Sequence, residues 1–181
     1  TYASDEKLKI FYSGFSFSNN FQSNLNYAKY TSSVIKEIDS KTKINIISST
    51  LLNSLKNFKF KKISLDTENL LDFRKYPDNS IVMSVVLQNE EFSQEYNSST
   101  KVYSGFYDVY FEILFYDFSD KNLIASIPFD FEITMLSESK FSKDEIVKRV
   151  KNFYLEDKPF RELSRKIDSF EIKRKYDRRI G

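Results

Sequence analysis

The chain of 181 residues contains no cysteine and no histidine, and it has only three glycines. Without cysteine it has no disulfide, no thiolate nucleophile and no zinc–thiolate site. Without histidine it lacks the side chain that most often transfers protons near neutral pH. Gly14, Gly105 and Gly181 are too few and too far apart for a phosphate-binding loop or a dinucleotide-binding fingerprint. These absences exclude most familiar enzymes and leave Asp, Glu, Lys, Tyr and Ser for any catalysis.

The sequence also lacks an apolar run that approaches the ~20 residues needed to cross a bilayer. Its longest candidate, residues 113–116, lies between Glu112 and Asp117. No charged and then apolar signal sequence opens the chain, so its first residues are interpreted as a mature end left by cleavage or as an arbitrary boundary. The absence of cysteine fits an oxidising and an intracellular compartment equally well.

The composition that remains is that of an ordinary globular protein, with 40% hydrophobic and 30% charged residues. The length suits one domain that needs no metal or disulfide to fold. Phe, Tyr, Lys, Asn, Ile and Ser are abundant, and their codons are AT-rich. We attribute the excess of lysine and aromatic residues to an AT-rich genome rather than to nucleic-acid binding.

The first half of the chain alternates between strand-like and helix-like patterns. Residues 8–17 predict a strand with a bulge or an end at Gly14, and the apolar spacing of residues 24–40 predicts an amphipathic helix. The β-rich residues 43–47 predict a second strand, and Ser48 or Ser49 is expected to cap the helix that follows. Residues 58–65 are a weaker strand candidate, and residues 67–73 predict a short helix.

From residue 79 onward the pattern predicts three long antiparallel strands, about residues 80–136. Phe111, Ile113 and Phe115 should share one buried face with a matching trio on the next strand, which consists of Ile127, Phe129 and Phe131. Pro128 has no backbone N–H, so the last strand is placed at a sheet edge or a bulge.

Helical patterns close the chain. Ser142 followed by Glu145 is a capping box that begins a helix over about residues 142–155, and a second pattern runs from Pro159. The predicted fold class is therefore α+β: a mixed sheet with an early β-α-β-α portion, the antiparallel three-strand meander, and helices on one face. Residues 1–160 are predicted as one domain, and residues 161–181 as a basic helical tail or the start of a further region.

Three groups of polar residues are candidates for a functional site. Asp117 and Asp120 flank a predicted hairpin turn, and tight-turn chemistry explains them better than a metal, because a calcium loop is longer and contains glycine. The acidic residues 90, 91 and 95 could perform acid–base chemistry, but a solvated strand end explains them better. Four tyrosines on the long strand favour a half-buried sheet face over a platform for stacking bases; they are Tyr103, Tyr107, Tyr110 and Tyr116.

The carboxyl end carries the strongest charge bias. Residues 161–181 hold eight basic and four acidic side chains, a net charge of +4, against −2 for residues 1–160. Basic segments of this kind contact nucleic acid or anionic lipid, although a solvated helix end is the simpler interpretation. The residues predicted to contact an anionic surface are Lys173, Arg174, Lys175, Arg178 and Arg179.

The order of elements resembles the α/β module of bacterial envelope accessory proteins. The resemblance rests on residues 8–17 as the first strand, on the helix that follows, on residues 44–55, "INIISSTLLNSL", and on the hairpin of residues 110–126, "YFEILFYDFSDKNLIAS". The module occurs in the curli-secretion lipoprotein, the TolB amino-terminal domain and lipoprotein activators of penicillin-binding proteins. The chain lacks the glycine usual in the hairpin turn and the lipidated cysteine of the lipoprotein members. The resemblance covers about residues 7–155 and implies a non-enzymatic periplasmic module that binds proteins.

The sequence therefore predicts a non-enzymatic protein-binding or assembly module, periplasmic or secreted, that needs no cofactor. Its expected partner is another protein, and any nucleic-acid binding is expected to be weak and salt-sensitive. Two alternatives stay open at this point. One is an intracellular nucleic-acid-binding domain that uses the basic tail, and the other is an enzyme that uses carboxylate, Tyr or Lys residues.

Overall fold

A computed structural model describes residues 6–18, 28–68, 70 and 72–172 of the chain. Five strands and four helices follow one another in it, with a 3-10 turn at Phe73–Lys75. The strands are β1 (Leu8–Phe17), β2 (Ile63–Asp66), β3 (Ile81–Asn97), β4 (Val102–Asp117) and β5 (Leu123–Ser137). The helices are α1 (Thr31–Val34), α2 (Ile46–Asn57), α3 (Lys143–Leu155) and α4 (Asp157–Ser169).

The strands form one mixed sheet in the order β2-β1-β3-β4-β5. β1 lies parallel to both β2 and β3, while β3, β4 and β5 are joined by antiparallel pairing into the predicted meander. The α+β class, the early β-α-β portion and the helices packed on the sheet are confirmed. β5 is an edge strand, as the missing N–H of Pro128 predicted.

Two faces of this sheet differ in what covers them. The inner face, which carries residues such as Met83, Phe111 and Ile127, packs against apolar residues of all four helices in one core cluster. A smaller cluster of Phe11, Tyr76 and Val82 covers one end of the opposite, outer face. The described helices place their buried apolar residues in the inner cluster, so they leave the rest of the outer face to solvent.

The predicted core of the meander is confirmed. Phe111 pairs with Phe129 and Ile113 pairs with Ile127 across β4 and β5, and both trios lie on the inner face. Period-2 spacing fixes this, because alternate side chains of a strand point to the same side. Phe129 is only half-buried, since it lies on the edge strand under Lys166.

Residues 43–47 are not a strand, contrary to the sequence prediction. Asn45 is the N-cap of α2 and its side chain accepts a hydrogen bond from the Ser48 N–H at 2.8 Å, so neither Ser48 nor Ser49 is the cap. Ile46 and Ile47 begin the helix and are buried. Burial of both isoleucines against the core outweighs their modest preference for strand geometry.

Three other early elements are shorter than predicted. Of the helix expected over residues 24–40, the structure shows α1, Thr31–Val34, and then turns; residues 24–27 lie outside the described ranges. The strand expected within residues 58–65 is reduced to β2. Near residues 67–73, the described helical residues are those of the 3-10 turn.

The closing helices agree with the sequence. Ser142 caps α3 by accepting a hydrogen bond from the Glu145 N–H, and Phe160, Leu163 and Ile167 of α4 are buried.

Candidate functional site

The least expected feature of the inner face is a buried carboxylate. Glu90 of β3 is 5% exposed and lies among polar groups of three elements. The Tyr107 hydroxyl donates to its Oε2 at 2.6 Å, and the Thr31 hydroxyl donates to the same oxygen at 2.8 Å. The backbone N–H groups of Tyr30 and Thr31 also donate to the carboxylate. Tyr154 completes the group, with its hydroxyl 3.2 Å from that of Thr31.

A β-bulge puts Glu90 in this position. β3 and β4 pair regularly up to Leu87 opposite Phe111, and then Asn89 pairs with Tyr110, so Gln88 is an extra residue. An extra residue reverses which side chains face inward. Glu90 therefore takes the inner position opposite Val109, while Glu91 faces outward. The prediction of a solvated strand end is wrong for Glu90, but Glu91 and Glu95 are exposed as expected.

Burial dominates the electrostatics of this cluster. Loss of hydration raises the pKa of Glu90, and the hydrogen bonds from Tyr107, Thr31 and the backbone partly oppose that rise. Burial likewise raises the pKa of Tyr107 and Tyr154, and the nearby Glu90 adds to both effects. Both phenols therefore stay protonated at neutral pH and serve as hydrogen-bond donors or acceptors.

The geometry of the Glu90 cluster fits a structural role better than a catalytic one. The donors are all protein groups, and Tyr107 and Tyr154 are fully buried. A general base must come within hydrogen-bond reach of its substrate, and this carboxylate is enclosed by its own partners. What it does is hold the start of α1 against the sheet, because it accepts from consecutive backbone N–H groups there.

The Asp117 turn behaves as the sequence predicted. Asp117 Oδ1 accepts hydrogen bonds from the Ser119 N–H at 3.0 Å, the Ser119 hydroxyl at 2.9 Å and the Asp120 N–H at 3.2 Å. These contacts use the carboxylate to shape the backbone of the turn. Over the described ranges, no group of three or more Asp and Glu side chains converges in a way that would hold a metal ion.

Charge is segregated strongly on the meander. β3, β4 and β5 contain eight acidic residues and no lysine or arginine, in a chain with 28 basic residues. One row of the outer face consists of Glu91, Asp108 and Glu132, which are directly opposite one another on three neighbouring strands. Like charges placed opposite one another destabilise a sheet. This arrangement costs folding energy, and sequence reasoning missed it because it depends on the register and on the bulge.

An exposed aromatic side chain lies next to the acidic row. Tyr110 lies in the next row, between Asn89 and Asp130, and is 38% exposed. Its pKa is raised by loss of hydration first and then by the surrounding carboxylates, which include Asp108 and Glu91. We call these outer-face side chains the acidic face, which comprises Glu91, Glu95, Asp108, Tyr110, Glu112, Asp130 and Glu132.

The four tyrosines of the long strand do not form a stacking platform. Tyr107 is enclosed in the inner core, whereas Tyr110 and Tyr116 lie on the outer face, as their spacing predicted. Tyr103 contacts Tyr96 near the β3–β4 turn, with ring centroids 4.9 Å apart. Tyr103 and Tyr116 are half-buried, as expected for a sheet face, whereas Tyr107 is fully buried and Tyr110 is exposed.

The edges of the sheet are protected against pairing with another strand. β2 is only four residues long. β5 is long, but Arg149 donates to the Leu136 carbonyl at 3.2 Å, and Pro128 offers no N–H. Pro128 and Leu136 are separated by an even number of positions, so their backbone groups point to the same side of β5. Short, charged or proline-containing edges discourage the addition of another strand.

The predicted contact residues Lys173, Arg174, Lys175, Arg178 and Arg179 all lie outside the described residues. Their proposed contact with an anionic surface stays a prediction. Within the described ranges, no helix is long and apolar enough to cross a membrane.

The chain matches no protein-family model and no curated protein sequence. Solved structures show a likeness at low identity. The hypothetical protein CT253 from Chlamydia trachomatis is 10% identical, with a TM-score of 0.48, and the match covers 91% of this chain and 98% of that chain. A minor lipoprotein from Acinetobacter baumannii is 10% identical, with a TM-score of 0.38 and coverages of 90% and 89%. The rare lipoprotein B from Shewanella oneidensis is 12% identical, with a TM-score of 0.36 and coverages of 88% and 89%.

Two of these three structures are bacterial lipoproteins by their descriptions, and all three are at most 12% identical to this chain. At TM-scores below 0.5 they carry no argument about function. The finer resemblance to the curli-secretion, TolB or activator modules stays a prediction. Any function must be argued from the surfaces of this chain itself.

Proposed function

We propose that this chain is a non-enzymatic module that binds a basic surface of another protein through its acidic face. The observation that carries the proposal is the segregation of charge: six carboxylates face outward on three adjacent strands that contain no lysine or arginine. Such repulsion is retained at a cost to stability, and a positively charged partner would relieve it.

The shape and composition of the acidic face suit a protein partner. The exposed Tyr110 lies among the carboxylates. On the same face, exposed Phe106 lies two rows and exposed Leu136 three rows further along. Aromatic and aliphatic contacts inside a charged rim are typical of protein interfaces. Complementary charge would steer the encounter and fix its orientation.

The non-enzymatic part of the proposal has a separate support. The cluster with the most perturbed titratable groups in the described residues is the one around Glu90, and it is closed to substrate. The expected periplasmic or secreted location belongs to the same proposal. Fractionation of the native cell, with the chain followed by antibody, would test it.

Photocrosslinking tests the binding surface directly. A photoreactive phenylalanine analogue replaces Tyr110 in the native cell, and the same analogue replaces Leu155 in α3 as a control exposed to solvent elsewhere. We expect one crosslinked protein at position 110, with a basic surface, and none in common at position 155. Equal crosslinking at both positions would contradict the assignment of this face.

Neutralising variants test the role of charge. Glu91→Gln, Asp108→Asn and Glu132→Gln together should lower the association rate with the crosslinked protein by roughly tenfold at low salt and by much less at high salt. The matched control removes three carboxylates elsewhere, at Glu6, Glu138 and Glu162, and should leave the rate near that of the unmodified chain. Equal loss in both triple variants would show that net charge alone matters.

A further inference from the structure

A groove lies at the opposite edge of the sheet from β5. It has a volume of about 540 Å³ and runs between the carboxyl end of α2 and the edge strand β2. Its apolar floor contains Leu55, Phe60 and Ile63, which are buried, and the half-buried Phe58. Three lysines line it, Lys7, Lys56 and Lys59, against a single carboxylate, Glu68. We call this site the basic groove.

Further lysines lie next to the basic groove, outside its lining. Lys61 and Lys62 follow Phe60 directly, and Lys62 forms an ion pair with Glu171 at 3.6 Å. Asp168 accepts from the backbone N–H of Lys61 at 2.8 Å. Among the described residues, none forms an ion pair with Lys56, Lys59 or Lys61. Their charges are therefore available to an external anion.

The described part of the chain also ends beside the basic groove. Because Glu171 contacts Lys62 and Asp168 contacts the Lys61 backbone, the chain passes residue 172 at this end of the molecule. The nine residues that follow include five basic side chains and one acidic one. Those nine residues lie outside the described ranges, and the lining of the basic groove comes from residues 7–68 alone.

From these observations we propose that the basic groove is a contact site for the phosphate headgroups of an anionic bilayer. Lysines with long aliphatic stems beside aromatic rings are typical of segments that lie at a membrane surface. The sequence "LKNFKFKK", residues 55–62, alternates these two kinds of residue. Leu8, which pairs with Ile63 beside the groove and is 40% exposed, adds an apolar contact for the headgroup layer.

A nucleic acid fits the basic groove less well than a bilayer does. Base stacking needs an open aromatic face, but the ring of Phe58 packs against Phe60 with centroids 4.7 Å apart. All the cations of the groove are lysines, which act as point charges and lack the planar fork by which arginine recognises phosphates and bases.

The test measures binding of the full chain to vesicles of phosphatidylcholine, with or without about three parts in ten of phosphatidylglycerol. We expect binding only to the anionic vesicles. Lys56→Gln with Lys59→Gln should lower the partition coefficient roughly tenfold to thirtyfold, because each lysine near an anionic surface contributes about 1 kcal/mol. The matched control neutralises Lys143 and Lys148, which are exposed on α3, and should change binding by less than about twofold.

A chain that ends at residue 172 separates the groove from the tail. It should still bind anionic vesicles, more weakly than the full chain, and the two groove substitutions should weaken it further. Three outcomes would overturn the proposal: equal loss in the groove and control variants, no effect of the groove substitutions while truncation abolishes binding, or complete displacement from vesicles by single-stranded RNA at physiological salt. Thermal melts of each variant check that the fold is intact.

Discussion

Removing one hydroxyl from the Glu90 cluster should have a cost that depends on pH. Tyr107→Phe deletes the donor that lies 2.6 Å from Glu90 Oε2 and leaves the ring in place. A hydrogen bond to a charged group contributes about 1.5–3 kcal/mol, whereas a bond to a neutral group contributes about 0.5–1.5 kcal/mol. Oε2 keeps the Thr31 hydroxyl at 2.8 Å, so the carboxylate is not left without a donor. We therefore expect a loss of about 2 kcal/mol when Glu90 is ionised.

The direction of the pH dependence follows from the pKa of Glu90. Because burial raises that pKa, the native state binds the proton more readily than the unfolded chain does. The contribution of this group to stability is then fully present below the unfolded pKa and is lost as pH rises through the folded pKa. Tyr107→Phe raises the folded pKa further, since it removes a bond that favours the ionised form. Its destabilisation should grow from acidic to neutral pH.

Urea unfolding at several pH values, followed by circular dichroism, measures this effect. The matched control is Tyr154→Phe, since Tyr154 is equally buried but its hydroxyl contacts Thr31 at 3.2 Å rather than the carboxylate. Where Glu90 is ionised, the loss of about 2 kcal/mol corresponds to a fall in Tm of about 4–8 °C for a chain of this size. If both variants lost the same stability at every pH, the reasoning that Glu90 is a buried charge held by Tyr107 would be refuted.

Three further predictions concern the core, the closest packing and metal. Phe111→Ala should destabilise by about 3–5 kcal/mol and the half-buried Phe129→Ala by clearly less, as denaturant midpoints would show; equal losses would contradict the burial difference. Gly105→Ala should lower the free energy of unfolding by about 1–3 kcal/mol, because a Cβ there would meet the rings of Phe141 and Phe92 at 3.0 Å. Adding Phe141→Leu to that variant should recover part of the lost stability in thermal melts. Melts with and without excess EDTA should coincide, and a large loss on chelation would show that carboxylates hold an ion.

The meander could be predicted from the sequence because its local pattern and its tertiary environment agree. Ile127, Phe129 and Phe131 alternate along one strand, and that period alone determines their common face. At residues 43–47 the local pattern and the tertiary environment disagree. Their isoleucines favour a strand locally, but Asn45 caps a helix in which Ile46 and Ile47 reach the core, and no local pattern reports that packing.

The buried carboxylate was missed although the sequence carried a signal for it. Leu87 and Phe92 are both inward-facing yet are separated by five positions, an odd number, which requires a bulge between them. Counting from Phe92 would have placed Glu90 inside. The identity of the other members of the cluster could not have been inferred. Thr31, which donates to Glu90, is 59 residues away along the chain, and Tyr154, which contacts Thr31, is 64 residues away from Glu90.

The place of β1 in the sheet has a consequence for the order in which the protein folds. β1 leaves the ribosome before the other four strands of the sheet. It nevertheless lies between β2 and β3, and its β3 partners lie about 70 residues further along the chain. Until Ile81–Leu87 has been synthesised, Ile10 and Tyr12 have half of their pairing surface missing. The β3–β4 and β4–β5 hairpins, in contrast, close over short turns and need only local contacts. We therefore expect the β3–β4 and β4–β5 hairpins to form the folding nucleus. β1 is synthesised earlier, but it can pair fully only after β3 has formed.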